Sequence, residues 1–152
     1  NPGLRFIFTI SPVRHIRDGV VENNRSKARL ISAVQEIVEN REDSHYFPAY
    51  ELLIDVLRDY RFYDIDLVHP NYAGTEFVLE KFVQYGFDLS SADLMKEVKQ
   101  LVTARKHRPF QPDTDSHRKF LQSQLQKAIE LQKQYPFLDL SREIDHFSGR
   151  TL

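Results

Sequence analysis

Cysteine is absent from this 152-residue chain, which excludes a disulfide framework, a thiolate zinc site and a cysteine nucleophile. The absence fits a reducing compartment and favours the cytoplasm as the expected location. Glycine is sparse, and Gly3, Gly19, Gly74, Gly86 and Gly149 lie far apart. They form neither a dinucleotide fingerprint nor a P-loop, so no nucleotide cofactor is expected. An excess of charge of either sign is also missing. Lys plus Arg total 21 against 22 for Asp plus Glu, the net charge is -1 and the pI is near 6.7. That balance leaves no electrostatic footprint for nucleic acid or an anionic membrane. No apolar run is long enough to span a bilayer, and Asn1-Pro2-Gly3 before Leu4 to Ile10 lacks the pattern of a signal peptide. The six histidines never stand four residues apart and have no cysteine partners, so no metal is expected.

What is present suits one domain with a real core and an appendage. Leu4-Arg5-Phe6-Ile7-Phe8-Thr9-Ile10 is a β-branched and aromatic run ended by Ser11-Pro12, which predicts a strand buried on both faces, as in a parallel sheet. The chain enters this strand within four residues of Asn1, with no element ahead of it, and a portion of a longer protein is expected. The polar loop from Pro12 to Asn24 falls at the carboxyl end of the strand, where open α/β sheets bind ligands. Leu30, Ile31, Val34, Ile37 and Val38 recur at helical spacing and predict a helix over 26–40, with Asn23, Asn24 and Ser26 as capping candidates. His45 to Pro48 reads as a second short strand. Tyr50 to Asp59 reads as a helix, followed by the aromatic loop Tyr60-Arg61-Phe62-Tyr63. The β-α-β order predicts parallel strands.

The stretch Asp66-Leu67-Val68-His69-Pro70-Asn71-Tyr72-Ala73-Gly74 carries the most chemistry. It sets a carboxylate and an imidazole three residues apart, with Pro70 predicted at the first helical position. A histidine oriented by a carboxylate can take a proton from a nucleophile and return it to a leaving group. The motif is short, and a helix-capping or packed structural His69 is the competing reading. Phe77, Val78, Phe82 and Tyr85 extend a helix over 70–85, closed by Gly86. Ser11 is considered as the nucleophile, but Pro12 has no N–H to offer an oxyanion, and Ser11 is expected to be a strand-end residue.

Beyond this point the character changes to two polar helices, 90–108 and 114–135, separated by Pro109 and Pro112. Their narrow stripes, Leu94, Val98, Leu101 and Val102 against Leu121, Leu125, Ala128 and Ile129, predict an antiparallel hairpin packed stripe to stripe, on itself or on a second copy of the chain. Arg105-Lys106-His107-Arg108 closes a helix, where cations offset the carbonyl end of the dipole. Leu138, Leu140, Ile144 and Phe147 are expected to dock back.

Four segments together, Thr9-Ile10-Ser11-Pro12-Val13-Arg14-His15, Tyr46-Phe47-Pro48-Ala49-Tyr50-Glu51, Asp59-Tyr60-Arg61-Phe62-Tyr63 and Asp66-Leu67-Val68-His69-Pro70, resemble the GSCFA family. That family is similar to the SGNH (GDSL-like) esterases, three-layer α/β proteins with a serine near the start and an Asp-x-x-His pair near the end. The resemblance implies that His69 is the general base and Asp66 the carboxylate that orients it. Arg14 and His15 match a family motif without an assigned role. They are candidates to meet an anionic or hydroxyl-rich substrate, with a structural loop role equally open for Arg14. The Gly-Ser-Cys-Phe-Ala motif that names the family is not in this chain. It is expected upstream of Asn1, which makes residues 1–88 the C-terminal part of an SGNH-like domain and residues 89–152 a two-helix extension and tail. The chain alone is expected to be inactive.

Two functional classes follow. One is a serine ester hydrolase acting on a small-molecule or carbohydrate ester. The other is a non-catalytic scaffold whose helices 90–135 bind a partner or a second copy of the chain.

Overall fold

The computed structural model describes residues 3–150. The fold is mixed α/β and mostly helical, with one two-stranded parallel sheet among the described residues. The chain divides into two units, Asn1–Phe87 and Asp88–Leu152.

In the first unit, strand β1 (Phe6–Thr9) leads through the Pro12 loop into helix α1 (Val20–Glu39) and then strand β2 (Ser44–Phe47). The strands pair in parallel, Phe6 with Ser44 through Thr9 with Phe47, as the β-α-β order predicts. The short helix α2 (Ala49–Glu51) runs into a π-helical stretch, Leu52–Leu57, and a 3-10 turn, Tyr60–Phe62, precedes helix α3 (Tyr72–Gly86). The buried residues Ile10, Phe47, Ala49, Leu53, Tyr63 and Val68 gather where the strand ends meet these turns. Gly74 makes that meeting possible. A Cβ there would lie 2.8 Å from the carbonyl oxygen of Phe62 and 3.0 Å from Leu53 Cδ1, so only glycine lets α3 approach the preceding turn this closely.

Four expectations are corrected in this unit, the first being the helix predicted from Tyr50 to Asp59, which is α-helical only to Glu51 and then π-helical to Leu57. The β1 run is not buried on both faces, since Phe6 and Ile7 are exposed. A sheet of two strands gives β1 one neighbour and leaves its faces partly uncovered. Helix α1 starts six residues earlier than its apolar spacing predicts, so Asn23, Asn24 and Ser26 lie inside it. Gly19, at φ +87°, stands at its N-cap. Pro70 is not the first helical residue. Asn71 caps α3, its Oδ1 accepting from the N–H of Gly74 at 3.1 Å, and Pro70 pairs with Tyr63 in an isolated antiparallel bridge.

The second unit is helical: α4 (Leu89–Lys106), α5 (Asp115–Gln134) and α6 (Ser141–Phe147). Asp88 caps α4, accepting from the Ser91 N–H at 2.8 Å, and Thr114 caps α5, each satisfying an N–H that the first helical turn leaves free. Leu94, Val98, Leu101, Leu121, Leu125 and Ala128 of the predicted stripes meet in one core with Leu131, whereas Ile129 of the predicted stripe is exposed. The tail completes that core with Leu140 and Phe147, so the two-helix extension is in fact three helices. Glu143 is buried on α6 and meets Arg105 Nε at 2.8 Å. The described residues contain no helix long and apolar enough to cross a membrane.

Candidate functional site

Between the 3-10 turn and α3 the backbone doubles back on itself. The Asp64 N–H donates to the His69 carbonyl at 2.8 Å and the Leu67 N–H to the Asp64 carbonyl at 2.9 Å. Leu67 takes a positive φ of 55° to make the turn, a conformation that costs a non-glycine residue roughly 1–2 kcal/mol. Val68 points inward and is buried, which anchors the turn while its neighbours stay at the surface.

Within this turn Asp66 is fully engaged. Its Oδ1 accepts from the N–H groups of Val68 and His69 at 2.9 and 3.0 Å, and its Oδ2 meets His69 Nδ1 at 2.7 Å. The His69 side chain, then the two backbone N–H groups, hold the Asp66 carboxyl down to about 2, because each of these bonds favours the charged form. Asp66 is therefore a carboxylate at neutral pH and can only accept, so in the neutral ring Nδ1 carries the hydrogen and Nε2 the free lone pair. A backbone-clamped carboxylate fixes one tautomer of an exposed imidazole, the arrangement a general base requires.

His69 also lines an apolar cleft of about 590 Å³, together with Ile7 and Thr9 of β1, Phe47 at the end of β2, and Val78 and Phe82 of α3. The second unit carries a hollow of about 990 Å³ lined by Lys96, His107, Phe110, His117 and Phe120 among others, with no carboxylate on its wall. It offers no counterpart to the Asp66–His69 pair. No group of three His, Asp or Glu residues is arranged to hold a metal ion among the described residues.

Arg14 and His15 are placed differently from each other. The Arg14 guanidinium lies over the rings of Tyr63 and Tyr60, 5.2 and 5.6 Å from their centroids, and its backbone N–H donates to the Val68 carbonyl at 3.1 Å. His15 is exposed. Its N–H donates to Asn23 Oδ1 at 2.8 Å and its Nδ1 lies 3.6 Å from Asp18 Oδ2. The cleft takes in Pro12 and Val13 from the same loop. Ser11 is a turn residue, its Oγ accepting from the Val13 N–H at 3.2 Å. Among the described residues no hydroxyl bonds to the His69 ring.

The other shared segments have structural explanations. The Tyr46 hydroxyl donates to the Glu51 carboxylate, 2.8 Å from Oε2 and 2.9 Å from Oε1, and burial with that carboxylate pushes its pKa up. Asp59 caps the 3-10 turn by accepting from the Arg61 N–H at 2.8 Å. Sequence reading missed the role of Asn71, whose Nδ2 also donates to the carbonyls of Arg61 and Tyr63 at 2.6 and 3.2 Å. An asparagine directly before Tyr-Ala-Gly was a capping signal, overshadowed by Pro70.

The family model for the GSCFA family matches residues 1–82, and that for the GSCFA domain protein, C-terminal domain, matches residues 98–151. No curated protein and no solved structure matches the chain.

Proposed function

The chain belongs to the GSCFA family, and from that premise and the geometry of Asp66 and His69 we propose that it supplies the base and its orienting carboxylate for a serine ester hydrolase. The observation that carries this reading is the 2.7 Å contact between Asp66 Oδ2 and His69 Nδ1, with Asp66 Oδ1 held by two backbone N–H groups. Residues 1–88 are then the C-terminal part of a three-layer SGNH-like domain, and residues 89–152 are its helical extension. The parallel pairing of β1 with β2 and the exposed apolar residues of β1 support a larger sheet.

The serine comes from sequence upstream of Asn1. Its hydroxyl proton passes to His69 Nε2 as the oxygen attacks the ester carbonyl, and His69 returns that proton to the departing alkoxide. Water, deprotonated by the same nitrogen, then attacks the acyl-serine, and as the bond to the serine oxygen breaks His69 returns the proton to that oxygen and the acid leaves. Asp66 holds the ring and stabilises the imidazolium in both steps. The cleft beside His69 is where the ester would approach.

Hydrolysis of p-nitrophenyl acetate tests this, measured for the 152-residue chain and for a version extended upstream through the Gly-Ser-Cys-Phe-Ala motif. The chain alone is expected to show no turnover and the extended version to be active. His69→Gln should lower kcat/KM of the extended version by at least about 100-fold, the usual share of a general base. An inactive extended protein, or full activity in His69→Gln, removes the reading.

A further inference from the structure

We infer that Arg14 is a positioning residue for the Asp66–His69 pair, clamping the turn that carries both side chains rather than meeting substrate. This rests on the reading of His69 as a base only for its catalytic consequence; the clamp itself is a matter of geometry.

Arg14 makes one contact with the turn itself and two with the residues just before it. The Arg14 N–H donates to the carbonyl of Val68 at 3.1 Å, and the N–H of Val68 in turn donates to Asp66 Oδ1 at 2.9 Å. The loop after β1 is thereby linked to the Asp66 carboxylate through the main chain of one residue, Val68. The guanidinium lies over both Tyr63 and Tyr60, and Tyr63 pairs with Pro70 immediately after His69. One side chain therefore ties the residues before the turn to the loop, while its own main chain ties the middle of the turn. Arg14 Nε is buried with no hydrogen-bond partner, so that part of the guanidinium is committed to packing. A planar cation suits two aromatic faces where an ammonium would not. The turn needs such support, because Leu67 holds a left-handed conformation that persists only where its surroundings over-determine it.

The test uses the 152-residue chain and does not depend on turnover. Nitrogen-15 spectra of the His69 ring report the tautomer, and amide exchange of Val68 and His69 reports closure of the turn onto Asp66. Arg14→Ala should erode the Nδ1–H tautomer signature and speed exchange at these two amides by about tenfold, the scale of one desolvated cation–π contact. The amide of Ser32 in α1 should hold its rate. Arg14→Lys should restore neither signal, since charge without the flat fork does not rebuild the stack. If Arg14→Ala fails to fold, Tyr60→Leu is the substitute, because Tyr60 is 62% exposed and its loss removes one face of the clamp. It should move the same two signals in the same direction. An unchanged tautomer and unchanged exchange in the folded variant overturn the proposal. Altered signals in a chain whose extended version proves inactive would leave the clamp standing and remove the hydrolase reading instead.

Discussion

Both units bury apolar residues, but the helical unit does so along its helices and the α/β unit mostly in the turns beyond its strands. In the helical unit, even the seven-residue α6 buries Phe147 to 4% exposure, within a core shared with Leu101, Ala128, Leu131 and Leu140. In the α/β unit, the twenty-residue α1 buries no residue fully, and Leu30 and Ile37 remain exposed on it. Strand β1 likewise shows Phe6 and Ile7 at the surface. Local pattern is equally good in both units, so the difference lies in tertiary partners. The stripes of α4 and α5 meet complementary stripes nearby in sequence, and α6 closes the remaining side. The apolar residues of β1 and α1 are spaced for partners that the described residues of their unit do not supply. A helix or strand forms on its own period, but burial requires something to pack against.

The largest expected effect probes that contrast directly. Phe147→Ala should destabilise the helical unit by about 3–5 kcal/mol, the cost of emptying a buried aromatic site. Amide exchange in α5 around Ala128 should accelerate by two orders of magnitude or more, at about 1.4 kcal/mol per factor of ten. Ile7→Ala in β1 should cost under about 1 kcal/mol, because a side chain 48% exposed has little burial to lose. Similar losses from the two substitutions would break the comparison.

Legibility in the sequence follows the same division. Helices α4 and α5 appear within about two residues of their predicted ends, since their stripes and the intervening prolines agree. The parallel pairing of β1 and β2 was legible from element order. The start of α1 was not, because Val20 and Val21 add no periodic signal and Asn23, Asn24 and Ser26 are cap-favouring residues that here lie inside the helix. The apolar spacing from Tyr50 to Asp59 predicts an ordinary helix, whereas Leu52–Leu57 is wound as a π-helix and ends in a left-handed Arg58. No residue type there announces a wider turn. At the site, residue spacing indicated that Asp66 and His69 could meet. The two backbone N–H bonds to Asp66 are local, from Val68 and His69, and an aspartate before a turn could have announced them; the aromatic bed under Arg14 joins distant segments, which spacing does not encode.

A second contrast can be read in acid. Each unit holds one carboxylate at about 2: Asp66 in the turn, through the His69 side chain first, and Asp88 at the α4 cap, through the Ser90 hydroxyl first. Both lie below the ordinary value near 3.9, so the folded state binds these protons more weakly than the unfolded one. Their contribution is fully present above about pH 4 and is lost as pH falls toward about 2. Asp66→Asn should flatten the acid dependence of amide exchange at Val68 and His69 while leaving the first turn of α4 unchanged. Asp88→Asn should do the reverse. A slope at Val68 that survives Asp66→Asn would assign the acid sensitivity to another group.

The smallest expected effect concerns Leu67, whose φ of 55° places strain in the turn that sets Asp66 against His69. Glycine relieves the roughly 1–2 kcal/mol of steric cost but returns about 0.5–1 kcal/mol through the freedom it adds to the unfolded chain. Leu67→Gly should therefore raise stability by no more than about 1 kcal/mol in a urea titration. The side chain itself is half exposed and contributes little burial to offset this. Leu67→Val should lower stability by a similar amount, because a β-branched residue tolerates this conformation least. If the strained turn is held by its surroundings, the His69 tautomer should be the same in Leu67→Gly as in the original chain. A tautomer that changes with glycine would mean that Leu67 itself, and not the Arg14 and Tyr63 contacts, holds the imidazole against Asp66.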